Sequence, residues 1–265
     1  EYRKESLELK TDAAFSTGDL AGQGAPTLPI KGSFNVKEFF GELRAPLISE
    51  SFIHELTFTG GYRYSDYSVL DRSFSTNTYK AQLEFAPIRD IRFRASYNRA
   101  VRAPNIQEYF AANRVALNGN GDPCAGATPD ATLAECQNDP FFRANPGMYG
   151  RVAGNPAGQY NGFIGGNANL TPEKADTLTL GAVIQPRIIP GLALTVDWFD
   201  IKLKNRIATI GQDTTLETCY STGDPYFCGL IHRDATGSLW RSNAGFVVDT
   251  NQNIGALKTR GVDVG

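Results

Sequence analysis

From Ile91 the side chains alternate, with Ile91, Phe93, Ala95 and Tyr97 set against Arg92, Arg94, Ser96 and Asn98. A period of two puts each set on its own face of a β-strand, so one face is apolar and the other ionic. Pro104 has no N–H for a ladder and biases Ala103 away from the helical region, which predicts that the strand ends there and gives way to a loop. The same alternation recurs upstream. Leu56, Phe58, Gly60, Tyr62 and Tyr64 oppose Glu55, Thr57, Thr59, Gly61 and Arg63, while Tyr79, Ala81, Leu83 and Phe85 oppose Lys80, Gln82 and Glu84. Residues 87–90, Pro-Ile-Arg-Asp, form a tight turn into Ile91, which completes a hairpin signature. Less regular strands are expected at 1–10 and 34–45.

Downstream, Leu178, Leu180, Ala182 and Ile184 alternate with Thr177, Thr179 and Gly181. After a turn at 186–191, Leu192, Leu194, Val196 and Trp198 alternate with Thr195 and Asp197. The phase then inverts, since Phe199, Ile201 and Leu203 become the apolar set opposite Asp200, Lys202 and Lys204. An inserted residue would do this, so a β-bulge is expected near Trp198 and Phe199. A final strand is expected to end at Gly265.

Short turns at 46–51, 87–90 and 186–191 thus alternate with long excursions at 11–30, 101–172 and 205–242, and the reversal at 66–76 is intermediate. The stretch 102–171 is rich in Gly, Asn, Pro and Asp, lacks periodicity and far exceeds an ordinary loop, which implies function or disorder. Short turns at one end and long loops at the other are the asymmetry of a transmembrane β-barrel, with the long loops outside. Antiparallel soluble sandwiches can scatter long loops on either end, so that alternative stays open. The faces favour the barrel. With the apolar sets toward lipid, Leu192 and Leu194 among them, the charges at Glu55, Arg63, Lys80, Glu84, Arg92, Arg94 and Asp197 all fall on the lumen side. An Arg or Lys facing lipid near the midplane would cost roughly 2–4 kcal/mol. Tyr62, Tyr64, Tyr97 and Trp198 lie toward the long loops, where an interfacial aromatic girdle belongs.

Composition agrees without adding much. The 265 residues are 41% hydrophobic, 11% aromatic and 20% charged, with a formal net charge of −2. Nothing in that balance draws the chain to nucleic acid. No apolar run approaches the roughly 18 residues of a membrane-spanning helix, and the mean hydropathy of −0.29 suits a soluble protein and a barrel equally well. The chain starts at Glu1, has Met148 as its sole methionine and stops within a strand-like run, so it reads as a piece in which the absence of a targeting signal carries no weight.

Several motifs now fall into order. Residues 91–110 read IRFRASYNRAVRAPNIQEYF, and Glu42-Leu-x-x-Pro46-Leu, Gly61-Tyr-Arg-Tyr-Ser-Asp-Tyr-Ser68, the run GGNANLTPEKA at 165–175, Val196-Asp-Trp-Phe-Asp-Ile201 and Thr259-Arg-Gly-Val-Asp263 accompany them. As an ordered set they resemble the barrel segments of TonB-dependent outer-membrane receptors and cover most of the chain. The resemblance implies an all-β fold, a partial antiparallel transmembrane β-barrel in which 1–265 supplies about eight strands of a single 22-stranded domain. It implies an outer-membrane location and active uptake of a scarce nutrient of the siderophore, vitamin or oligosaccharide class. The implied partners are the TonB energy-coupling complex, an extracellular ligand and outer-membrane lipid. The family's plug domain, coupling box and terminal aromatic strand are absent from this sequence. No catalysis, cofactor or metal is implied. The competing function is a soluble or surface β-sheet carbohydrate-binding protein or hydrolase with its site on the long loops.

Cys124 and Cys136 lie close together in one long loop, Cys219 and Cys228 in the other. Pairing within each loop is the simplest arrangement and suits an oxidising compartment. Zinc is the competing reading, but no C-x-x-C occurs and the only histidines are His54, expected in a strand, and His232. The run Asn-Gly-Asn-Gly-Asp at 118–122 lacks the bidentate Glu of a calcium loop. Asp197 and Asp200 could form a hydrolytic pair only if the bulge brought them to one face. Candidate ligand-facing residues are Asn105, Glu108, Tyr109 and Phe110 at the base of the first long loop, with Tyr149, Tyr160, Tyr226 and Trp240 further out. Phe141 and Phe142 are further loop aromatics that could stack on a ligand or pack the loops on themselves.

Overall fold

The structure, a computed structural model, describes residues 1–19 and 25–265. The part of the expected 11–30 loop at 20–24 lies outside the described residues. In chain order the strands are β1 (Tyr2–Leu9), β2 (Ile30–Ser49), β3 (Glu55–Val69), β4 (Arg72–Ile88), β5 (Ile91–Arg102), β6 (Arg114–Gly119), β7 (Tyr160–Ile164), β8 (Glu173–Ile184), β9 (Leu194–Ala208), β10 (Ile231–His232), β11 (Phe246–Val248) and β12 (Gln252–Val264). The helices are α1 (Ala13–Thr17), α2 (Ile106–Phe110), α3 (Leu133–Cys136), α4 (Pro140–Ala144), α5 (Gln212–Thr222) and α6 (Pro225–Cys228).

Among the described residues, eight strands make one antiparallel wall in the order β1-β2-β3-β4-β5-β8-β9-β12. Wall neighbours follow one another in sequence except where the two long excursions intervene. The wall is open, with β1 and β12 at its edges. The registers carry the two faces across it. Phe58 pairs with Leu83, Leu83 with Ala95, Ala95 with Leu180, and Leu180 with Trp198, so these residues share one face. Thr57, Glu84, Arg94, Gly181 and Asp197 line up in the same way on the other. Polar-face charges pair across strands: Arg94 with Asp197, Lys80 with Glu42 at 3.0 Å, Arg92 with Glu55 at 3.3 Å and Arg63 with Glu38 at 3.4 Å. The apolar face stays uncovered, with Phe39, Leu43, Phe93 and Leu180 all exposed.

The expected bulge at Trp198 and Phe199 is absent. Pairing runs unbroken from Ile184 with Leu194 to Lys174 with Lys204, and the β12 side keeps the same register. What changes is the surroundings of each face. Beyond Tyr97 and Trp198 the outer face becomes charged, with Arg99 on Asp176 at 2.7 Å and Lys258 near Asp200 at 3.6 Å. The inner face gains Phe199, Ile201 and Leu203, leading to buried Ile207 under the loops. Asp197 and Asp200 therefore stay on opposite faces.

The reversal at 66–76 is tighter than expected. Val69 pairs with Arg72 across a two-residue turn at Leu70 and Asp71, where Leu70 takes a positive φ of 51°. Tyr67 stacks on Phe74 with ring centroids 5.0 Å apart, which holds the hairpin together to its tip. The loop-bearing end thus carries one tight turn as well as three long connections. At the opposite end, two residues (Ala86 and Pro87) oppose Arg92 before the turn at Arg89 and Asp90, a bulge that accommodates the proline. His54 lies in the bend before β3 rather than in a strand, with Nδ1 3.1 Å from Glu50.

The two longest loops are ordered and form one folded unit. Strands β6, β7, β10 and β11 make a second sheet, in which β11 and β7 run parallel. The second excursion extends past the expected 242, because β12 starts only at Gln252.

Candidate functional site

Where β5 ends, the Arg-Ala-Pro-Asn break starts a short helix rather than an open loop. Asn105 Oδ1 accepts the Glu108 N–H at 2.8 Å, and Glu108 Oε2 accepts the Asn105 N–H at 2.7 Å, a reciprocal capping box on α2. Arg102 binds Glu108 at 3.0 and 3.1 Å and Glu173 at 2.7 Å, tying α2 to the ends of β5 and β8. Ile106 and Tyr109 are buried against Phe34, Val69, Leu170 and Ile207, so α2 plugs onto the inner face of the wall's upper rim. Burial pushes the Tyr109 phenol up to about 12, and its hydroxyl donates to the Leu170 carbonyl at 3.4 Å. Phe110 lies over Gly32, where an added Cβ would stand 2.4 Å from the ring. We expect Gly32→Val to cost about 1–3 kcal/mol by overpacking. Melting the intact receptor checks this, and Phe110→Ala in the same chain should restore most of the loss.

Above α2 sits the loop unit. Cys124–Cys136 and Cys219–Cys228 are disulfide-bonded, one bridge within each loop. Arg233 is a buried ionic link between the loops, which also share the β7–β11 pairing. Its fully buried guanidinium donates from Nε to Asp139 at 2.6 Å, to Asp122 at 2.6 and 2.9 Å, to the Tyr220 hydroxyl at 2.6 Å and to the Gly237 carbonyl at 2.8 Å. These five bonds satisfy all five guanidinium N–H groups. Arg233 also lies over the Phe142 ring at 4.7 Å. Asp122 and Asp139 belong to the first loop, Arg233 and Tyr220 to the second. Burial, reinforced by Asp122, pushes the Tyr220 phenol well up. Asp122, the last residue of the run at 118–122, is thus committed to arginine; the side chain of Asn118 lies outside the described part.

The aromatic candidates separate by burial. Tyr160 is fully buried, its hydroxyl donating to Asp213 at 2.5 Å, and burial followed by that carboxylate pushes its phenol far up. Phe142 is fully buried in the same core, with Phe141 packed edge-on to it. Tyr149 donates to the Ala131 carbonyl at 2.8 Å and packs on the loop core. Trp240 donates from Nε1 to the Ala153 carbonyl at 3.1 Å with Arg241 across its ring. Tyr226 is exposed and bonded to Gln252. Burial turns most of these rings toward the loops' own core.

Two cavities flank the β7 terminus, the first of them between α2 and the loop unit. One, about 390 Å³, is lined by Asn105, Gln107 and Glu108 from α2 together with Gly165, Asp249 and Asn251. The other, about 490 Å³, lies on the far side of the β7 terminus against Phe163, His232 and Phe246. Arg233, Asp139, Asp213, Phe163 and Phe246 do not stand out in the sequence. The capping box was legible as Asn-x-x-Glu directly before an apolar pair, whereas the Arg233 cluster joins residues up to 111 apart in sequence and carries no local signal.

The family described as TonB dependent receptor-like, beta-barrel matches residues 2–265. The chain belongs to the TonB-dependent receptor family, and the wall is part of its barrel. Among solved structures, the siderophore receptor PirA from Acinetobacter baumannii aligns with 99% of this chain and 30% of its own, at 14% identity and a TM-score of 0.53. The ferric enterobactin receptor PfeA from Pseudomonas aeruginosa, as a Q482A mutant in complex with enterobactin, aligns with 99% of this chain and 29% of its own, at 14% identity and a TM-score of 0.58. The chain therefore spans about 30% of the length of these structures. No curated protein matches it. The family is one of transporters and receptors, not of enzymes.

Proposed function

We propose that this chain supplies part of the wall and two fused capture loops of an outer-membrane importer that is energised through TonB and takes up a scarce nutrient. The observation that carries this is the pairing of a wall bare of charge on its outer band with an ordered, disulfide-closed loop unit at one end. The outer band from Phe58 and Leu83 to Leu180 and Val196 suits lipid, Tyr62, Tyr97 and Trp198 mark its upper limit, and the paired charges on the other face suit a wet lumen. Polar groups of α2, Asn105 and Glu108 among them, border a cavity at the mouth, where ligand would pass from loops to lumen. The proposed partners are the energy-coupling complex, reached through the plug of the whole receptor, and an extracellular ligand. Uptake in cells with and without functional TonB tests the reading. Accumulation should stop without TonB, and transport that persists unchanged would leave a passive channel.

A further inference from the structure

We propose that the cavity beside the small sheet is a binding subsite for an uncharged saccharide, which rests on the importer reading above and narrows its ligand to a class. His232, Phe246 and Phe163 stand on the three neighbouring strands β10, β11 and β7, with ring centroids 4.9 and 5.2 Å apart. Alternation explains why this row is uncovered. Ile231, Val247 and Gly162, one position away on each strand, are buried on the core side, which leaves the three rings on the other face. Phe163 and Phe246 are half-buried and His232 is exposed.

The cavity of about 490 Å³ over this row has no Asp, Glu, Lys or Arg in its lining. Among the described residues, the side chains of Asn113, Thr250 and His232 that border it make no hydrogen bond. Asn167 is committed instead: its Nδ2 donates to the Asn251 carbonyl at 2.9 Å and its Oδ1 accepts the Asn169 N–H at 2.8 Å, which fixes the rim. An anionic or cationic ligand would lose hydration here without meeting an opposite charge in the lining, since Arg72 behind the rim is committed to the Ala168 carbonyl at 2.7 Å and Asn169 Oδ1 at 3.2 Å. A wholly apolar one would cover amide and hydroxyl groups that then go unpaired. A sugar ring offers both parts required, a C–H surface for the aromatic row and hydroxyls for the free carboxamide and hydroxyl groups.

The test is calorimetric titration of the full-length receptor in detergent with maltohexaose, cellohexaose, xylohexaose and mannohexaose, and with a ferric tris-catecholate complex as the charged comparator. At least one hexasaccharide should bind, with little response to added salt. Phe246→Ala should weaken that binding by about tenfold or more, while Phe246→Tyr should keep it. Failure of every hexasaccharide to bind overturns the assignment, as does saccharide binding that Phe246→Ala leaves unchanged. If the ferric complex alone binds and its uptake needs TonB, the saccharide assignment falls and the importer stands. If Phe246→Ala also melts lower, Phe246→Tyr decides, and a Phe246→Tyr receptor that melts like the parent but has lost saccharide binding overturns the proposal.

Discussion

Replacing Arg233 with Ala should loosen the packing of the two long loops against each other while leaving the wall intact. The side chain is wholly buried with two carboxylates, Asp122 and Asp139, that are themselves 5% and 1% exposed. Removing the guanidinium strands both anions where water does not reach, a loss of about 3–5 kcal/mol in comparable buried pairs. The disulfides cannot compensate, because each closes its own loop and neither crosses between them. Arg233→Lys should not rescue, since an ammonium cannot reproduce five forked bonds to two carboxylates, a phenol and a carbonyl. Hydrogen exchange on the intact receptor reads this directly. Amides of 120–165 and 211–249 should lose protection together while those of β3, β4 and β5 keep theirs, and unchanged loop protection would show that the loops do not depend on this cluster.

The second large effect is expected on the wall. Phe93→Arg places a charge on the outer face between Phe85 and Ala182 and should destabilise the membrane-inserted receptor by roughly 2–4 kcal/mol. Gln82→Arg, on the inner face opposite Ser96, should be near neutral because its charge meets the lumen. Unfolding by urea in lipid vesicles compares the two. Equal losses for both would contradict the assignment of faces.

The wall was legible because β-strand parity is local. Ile91 to Asn98 declares its own faces, and the registers then place Phe93 and Arg94 as that alternation requires. The inversion after Trp198 was misread because polarity reports the medium a face meets, while register is set by hydrogen bonding. One uninterrupted strand that leaves an apolar band for a charged collar gives the same pattern as an inserted residue. The tight turn at Leu70 and Asp71 was hidden because Leu70 is not a residue that ordinarily marks a positive φ. In the loops, the Asn105 to Glu108 capping signal was present, but a five-residue helix has no period to draw attention to it. The loop core was out of reach altogether, since Phe142, Leu216 and Val247 meet only after the two excursions fold onto each other.

Where the wall meets lipid is measured most directly by spin labels along β5, β8 and β9 of the intact receptor in vesicles. Labels at positions 93, 180 and 196 should be relaxed by lipid-soluble oxygen, and those at 94, 179 and 197 by an aqueous reagent. Labels at 200 and 202 should respond to the aqueous reagent although they share the face of Val196. Aqueous relaxation at 93 and 180 with oxygen relaxation at 94 and 179 would mean that the faces are reversed and that this chain is not the lipid-facing wall described.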